Sequence, residues 1–344
     1  MTKPAQLSDP ELTAIAQAVG AQAVSRTEVI QPLWGGYGEL FRAEVDGGEH
    51  FSVIVKHIRL PKPARHPRGW STDTSHQRKL KSYRVEVNWY RDYAGQGGDA
   101  SVRADACPMP RCLFVERRDD EILLVLEDLQ TRGYHRVLQQ AGHHEIQACL
   151  RWLAQFHARY LGVAPAGLWK TGTYWHLATR PDELAALTDT ALKTAAPQLD
   201  ALLSGCPFQT LVHGDAKLAN FIFAKGGRHV AAVDFQYVGR GCGMKDVVML
   251  LSSTLPPTDC ERRCPALVDD YFRLLAQALS EQPVGTAARA VDAAALEQAW
   301  RPLFCVAWAD FQRFLKGWSP GHWKVHAYSE ALTRQALEQC AIPD

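Results

Sequence analysis

The chain reads as an α+β protein: residues 1–126 are rich in strand signals, residues 133–344 are mostly helical, and residues 127–132 form the hinge between them. Three observations carry this. Apolar residues alternate in residues 40–45 and 51–56 on either side of Asp46-Gly-Gly, which is a hairpin signal. A second apolar pair, Cys112-Leu-Phe-Val-Glu and Ile122-Leu-Leu-Val-Leu-Glu, flanks Arg117-Arg-Asp-Asp. From Glu145 to Leu161 the spacing changes to that of a helix, with Ile146, Cys149, Leu150, Leu153, Phe156, His157 and Tyr160 on one face.

Each element has its own signal. Ser8 with Glu11 fits a capping box, so a first helix is expected to run through about residue 19. The apolar segments Val29-Ile-Gln-Pro-Leu-Trp and Leu40-Phe-Arg-Ala-Glu-Val then enclose a glycine turn. Residues 56–84 carry Lys56, Arg59, Lys62, Arg65, Arg68, Arg78, Lys79, Lys81 and Arg84 against one acid, Asp73. Pro61, Pro63 and Pro67 make the first half of this run a loop, and a helix is expected from Ser75 to Tyr93. The basic run is either a solvated insertion or an attractor of anionic substrate or nucleotide phosphates. From about residue 265 the pattern is again helical.

Composition excludes several classes. An apolar content of 47% with 22% charge is that of a folded protein. A net charge of +1 gives no general pull toward nucleic acid or an anionic membrane. No apolar run approaches the roughly 20 residues of a membrane span, and Met1-Thr-Lys-Pro-Ala-Gln-Leu-Ser lacks the apolar core of a signal peptide, so a cytoplasmic location is expected. Nine scattered cysteines without a Cys-x-x-Cys pair are expected to be reduced thiols. The oligomeric state is not legible.

The chemistry-bearing residues lie in Leu211-Val-His-Gly-Asp-Ala-Lys-Leu-Ala-Asn-Phe-Ile-Phe and Ala232-Val-Asp-Phe-Gln. Asp215, Asn220 and Asp234 occur in the order that kinase-type phosphoryl transfer needs: a carboxylate base, then two oxygen donors suited to Mg²⁺. Lys217 is either a second catalytic group, offsetting charge on the transferring phosphoryl, or an exposed loop lysine. His213 is expected to brace the loop, and Asp246 to cap a helix or brace that loop. Trp34-Gly35-Gly36-Tyr37-Gly38 is the candidate phosphate-covering turn, through Gly35, Gly36 and Gly38. Lys56 closes the strand Val53-Ile-Val-Lys and is expected to pair with Glu86, since a lysine buried there needs an acid. Arg59 and Lys62 are expected outside the strand. At the hinge, the Glu127 carbonyl and Leu129 amide are placed to meet an adenine edge.

Together these motifs resemble the aminoglycoside phosphotransferase and choline kinase superfamily. Val85-Glu-Val-Asn-Trp-Tyr, Leu124-Val-Leu-Glu-Asp-Leu, Leu153-Ala-Gln-Phe-His-Ala, His213-Gly-Asp and Val233-Asp-Phe-Gln are similar to its ecdysteroid-kinase-like branch. The resemblance spans about residues 29–255. It implies a two-lobed protein-kinase-like fold, ATP with Mg²⁺, and a small-molecule hydroxyl as acceptor. Asp215 then matches the family base, Asn220 and Asp234 its metal ligands, and Lys56 with Glu86 its ATP-positioning pair. The glycine turn is shorter than a protein-kinase loop, Asp234 is followed by Phe-Gln rather than Phe-Gly, Lys217 replaces other residues of the branch, and the basic insertion at 57–82 is longer.

The acceptor side is expected in the helical part, where Trp300, Phe304, Trp308, Asp310, Phe311, Phe314, Trp318 and Trp323 cluster. They form either a core stripe or an aromatic wall for an apolar or cationic substrate, with Asp310 as counter-charge. Few other acids accompany them, which speaks against a polycationic antibiotic and leaves choline-like, sterol-like and other lipophilic alcohols. A catalytically silent pseudokinase and an aminoglycoside O-phosphotransferase are the alternatives.

Overall fold

The computed structural model describes residues 5, 7–60, 72–94, 106–118 and 121–341. Lys62, Arg65, Arg68 and the three prolines of the basic run, and Asp119 and Asp120 of the second hairpin, lie outside them. The chain divides into two compact units, residues 1–98 with 109–135, and residues 99–108 with 136–344.

In unit 1, α1 (Asp9–Ala18) starts at the expected capping box: the Glu11 carboxylate accepts the Ser8 backbone N–H at 2.6 Å and its hydroxyl at 2.8 Å. Strands β1 (Ala23–Pro32), β2 (Gly38–Asp46) and β3 (Ser52–Arg59) follow, then α2 (Thr72–Asp92), β4 (Cys112–Arg118) and β5 (Glu121–Glu127). They form a five-stranded sheet in the order β1-β2-β3-β5-β4, and each pairing is antiparallel.

Strand parity decides what each face of this sheet meets. Phe41, Ala43, Val53, Val55 and Val125 pack with Ile15 of α1. The opposite face sends Ile58 and Ile122 against Tyr83 and Val87 of α2. Neighbouring residues of β3 therefore have opposite fates: His57 reaches Glu11 of α1 at 3.1 Å, and Lys56 reaches Glu86 of α2 at 2.7 Å. One expectation is corrected here. Lys56 does not close its strand, and Arg59 is not outside it; pairing continues to Arg59, whose N–H donates to the Tyr37 carbonyl at 2.9 Å.

The chain continues through β6 (Tyr134–Val137), and the helices of unit 2 are α3 (His143–Arg159), α4 (Pro181–Ala186), α5 (Thr190–Gly205), α6 (Met244–Thr254), α7 (Pro257–Ser280), α8 (Ala293–Trp300), α9 (Leu303–Trp318) and α10 (Ala327–Ala341). The short strands β7 (Thr210–Val212), β8 (Phe221–Ala224), β9 (Val230–Ala232) and β10 (Gly239–Gly241) carry the loops between α5 and α6. β7 pairs with β10, and β8 with β9, both antiparallel. The apolar stripe read from residues 145–161 is the buried face of α3, which packs on α7. α9 is buried along nearly its whole length among α4, α5, α6 and α10, and takes Asp310, Gln312 and Arg313 into the core with it.

Burial of α9 settles the open question about the aromatics. Trp300, Phe304, Trp308, Phe311 and Phe314 are core, whereas Trp318 and Trp323 are exposed. Asp310 is core too and does not serve as a substrate counter-charge. Its Oδ1 accepts Arg313 Nε at 3.0 Å and Nη2 at 2.8 Å, and its Oδ2 accepts the Trp175 indole N–H at 3.0 Å. All nine cysteines are free thiols. Among the described residues no helix is long and apolar enough to cross a membrane.

Candidate active site

The predicted residues of unit 1 fall into three places. Lys56 is buried, with its ammonium donating to Glu86 Oε2 at 2.7 Å and Oε1 at 2.9 Å. Removing either partner strands a charge in the sheet–helix interface, at a cost of about 3–5 kcal/mol. The glycine turn is a single helical turn, residues 34–36, closed by Leu33 N–H donating to the Gly38 carbonyl at 2.7 Å. Gly38 has no substitute: its φ is +121°, and a Cβ there would lie 2.0 Å from the His57 carbonyl oxygen. At the end of β5, Glu127 binds Arg111 at 3.1 Å and Arg132 at 3.3 Å through its carboxylate. Asp128 caps the turn that opens with Leu129, accepting Gln130 N–H at 3.0 Å, and also binds Arg42 at 2.6 Å and Ser52 at 2.8 Å. Sequence reading gave Asp128 no role; its place immediately before a helical turn was the available signal.

In unit 2, β7 delivers His213-Gly214-Asp215 at its C-terminal end. Gly214 has φ +79°, and a Cβ would meet the Tyr237 carbonyl oxygen at 2.1 Å, so the bend requires glycine. His213 is the expected brace. Its Nδ1 accepts the Asp215 N–H at 3.3 Å, which leaves Nε2–H to donate to the Val233 carbonyl at 3.0 Å. One ring thus ties the Asp215 loop to the residue before Asp234.

Asp246, in the first turn of α6, is a loop brace rather than only a cap. It accepts His213 N–H at 2.6 Å, Gly214 N–H at 2.9 Å and His157 Nε2–H at 3.1 Å. The other nitrogen of His157 meets the Tyr271 hydroxyl at 2.7 Å, so α3 and α7 join the network.

Asp215 is buried and unevenly satisfied. Its Oδ2 accepts Lys217 Nζ at 2.8 Å and Asn220 Nδ2 at 3.0 Å, while its Oδ1 has no hydrogen-bond partner among the described residues. Burial pushes the Asp215 carboxyl up, the neighbouring Lys217 charge opposes this, and Asp234 pushes it further up. For Lys217, burial favours the neutral form, but Asp215, Asp234 and Tyr237 outweigh it and hold the ammonium above its ordinary value. Lys217 is therefore engaged with Asp215 while its side chain stays partly open to solvent.

Asn220 Nδ2 also donates to the Asp215 carbonyl at 2.8 Å, so Oδ1 is left as the amide's acceptor. Its own carbonyl accepts Val233 N–H at 3.0 Å, setting Asn220 beside the segment that carries Asp234. Asp234 has φ +68°, unusual for a residue with a Cβ, and its Oδ1 accepts Gln236 Nε2 at 2.8 Å. Left-handed backbone at a residue flanked by such bonds is the kind of strain that accumulates at functional sites. The geometry brings Asp215, Lys217, Asn220 and Asp234 into one cluster.

Lys324, between α9 and α10, was missed from the sequence. Its Nζ donates to Ser252 Oγ at 3.3 Å on α6, and the next residue, Ser253, accepts Leu218 N–H at 3.0 Å from the Asp215 loop. A lone lysine after a tryptophan carries no sequence signal; only the packing of that connector against α6 reveals it.

Residues 29–282 match the model of the phosphotransferase enzyme family, APH. The chain belongs to that family, and is a small-molecule phosphotransferase with an alcohol group as acceptor. In structure it is similar to the amicoumacin kinase hAmiN in complex with AMP-PNP, Ca²⁺ and Ami: 15% identity, 97% of this chain and 93% of that one covered, TM-score 0.51. A microcompartment-associated aminopropanol kinase follows at 18% identity, with 96% and 95% covered and a TM-score of 0.48. An aminoglycoside phosphotransferase from Streptomyces rimosus, in complex with ADP and streptomycin, has 13% identity, 90% and 99% covered, and a TM-score of 0.48. Comparison with curated proteins gives no match.

Proposed function

We propose that the protein transfers the γ-phosphoryl group of ATP to the hydroxyl of a small molecule, with Asp215 as the base and a divalent cation, Mg²⁺, as cofactor. The single observation that supports this most is the orphaned Asp215 Oδ1. A buried carboxylate oxygen without a donor is costly, and an acceptor hydroxyl would supply the missing donor.

As the acceptor oxygen bonds to the γ-phosphorus, its proton passes to Asp215 Oδ1. The bond from phosphorus to the β–γ bridging oxygen breaks, and ADP leaves with that electron pair. Lys217 and Asn220 hold Oδ2 and so aim Oδ1. The divalent cation would be held by Asn220 Oδ1 and the Asp234 carboxylate, a hard oxygen set that fits it, and would neutralise phosphate charge. In unit 1, Lys56, held by Glu86, would contact the α/β-phosphates, the turn with Gly35, Gly36 and Gly38 would cover them, and the Glu127 carbonyl and Leu129 amide would meet adenine.

Isothermal titration of Mg·ATP into wild type and Asp234→Ala tests the reading. Binding that requires Mg²⁺ in wild type and is weakened at least tenfold in the variant is expected. Wild-type protein that binds no nucleotide would overturn it.

A further inference from the structure

We infer that the acceptor of the reaction proposed above is an anionic alcohol, a small hydroxyl compound whose acidic group is received by Lys324. The inference rests on that reading and narrows its substrate.

Lys324 is partly buried and makes no ion pair among the described residues. Its ammonium lies over the rings of Phe311 at 5.3 Å and Trp323 at 5.6 Å, and among the described residues its one hydrogen bond goes to the Ser252 hydroxyl. Its backbone is fixed, with the carbonyl accepting Gln312 Nε2 at 3.0 Å and the N–H donating to His322 Nδ1 at 3.1 Å. An ammonium drawn partly out of water without an acid is destabilised unless a ligand provides one. The contrast with Lys56 and Lys316 is direct, since each of those meets a carboxylate within 2.7 Å.

Position makes the acceptor, rather than bulk anions, the natural partner. Ser252 and Ser253 are adjacent on α6, and one holds Lys324 while the other holds the loop carrying Asp215 and Lys217. The charge of Asp215 acts on Lys324 directly, and so does that of Lys217. An acceptor with its hydroxyl at Asp215 Oδ1 would extend toward Lys324 and the exposed face of Trp323. An ammonium-bearing acceptor would meet two cations there, whereas a carboxylate would complete the pair that Lys324 lacks.

The test is a matched acceptor panel with Mg·ATP: glycerate, its methyl ester, glycerol 3-phosphate, 1-amino-2-propanol and choline, each assayed for binding and turnover with wild type, Lys324→Gln and Lys324→Arg. Carboxylate or phosphate members are expected to exceed their neutral and cationic counterparts by about ten- to a hundredfold, the worth of a charge-assisted hydrogen bond. Lys324→Gln should abolish that preference through the acceptor KM and leave the nucleotide KM unchanged, and Lys324→Arg should restore part of it. Equal or better use of the cationic members, no preference in any matched set, or a Lys324→Gln effect confined to the nucleotide KM would overturn the inference. A carboxylate preference without a phosphate preference would assign a carboxylic acid, and the reverse a phosphomonoester. Absence of nucleotide binding would instead remove the kinase reading on which it rests.

Discussion

Asp215 and Asp310 are both buried aspartates of unit 2, and both touch a cation, yet their oxygens are satisfied differently. Each oxygen of Asp310 is bonded, to Arg313 and to Trp175, deep in the α9 packing. Asp215 has one bonded oxygen and one orphan, and its partner Lys217 is 42% exposed. Saturation of hydrogen bonds, more than burial or charge, separates the two, and on the proposed reading the open oxygen of Asp215 awaits the acceptor.

That contrast can be broken in order of effect. Asp215→Asn should lower kcat by about 10²–10⁴, the usual worth of a positioned base, and leave the melting temperature and Mg·ATP affinity near wild type. Turnover within a few-fold of wild type would strip Asp215 of its role. Asp310→Ala should act the opposite way. It leaves Arg313 buried without its partner, so a loss of about 3–5 kcal/mol in chemical denaturation is expected, with little change in kcat for the protein that remains folded. If Asp310→Ala proves neutral to stability, the distinction between the two aspartates fails.

A smaller effect is expected at the bend just before Asp215. Gly214→Ala forces a Cβ into left-handed backbone, costing about 1–2 kcal/mol before the clash with the Tyr237 carbonyl is counted. It should depress both stability and kcat, readable by thermal denaturation beside steady-state kinetics.

The smallest effect concerns protons. Burial pulls Lys324 down to about 8 from 10.5, with Asp215 opposing the shift and Lys217 assisting it. Between those values the unfolded chain binds more protons than the folded one, so this group makes stability rise with pH across the window, and its full penalty is present below about 8. Lys324→Met should therefore stabilise the protein at neutral pH and flatten that rise. Binding of an anionic acceptor should weaken as pH climbs through about 8, because the ammonium facing Asp215 and Lys217 is then discharged. A binding curve flat through that range would detach Lys324 from the acceptor.

Much of this was legible in the sequence, and the reasons are physical. The α+β order, the capping box at Ser8, the period-two strands and the His213-Gly-Asp segment each express a local rule, read from neighbouring residues. Lys56 and Glu86 could be paired because a strand lysine facing a helix demands an acid. The length of β3 was misread because Arg59, a charged residue, is held in the strand by pairing with distant partners. Asp310 was left open between core and counter-charge because its satisfaction depends on Trp175, far away in sequence. Lys324 was invisible because its environment is assembled from α6 and α9 only in the folded chain.

The connector between α9 and α10 supplies Trp323 and Lys324, whereas the bonds that shape the Asp215 loop come from Asp246, His213, Asn220 and Ser253. On the proposed reading, chemistry and selectivity are written on separate stretches of chain. A lineage, or a mutant library confined to residues 319–326, can explore new alcohols while the reacting apparatus is inherited intact.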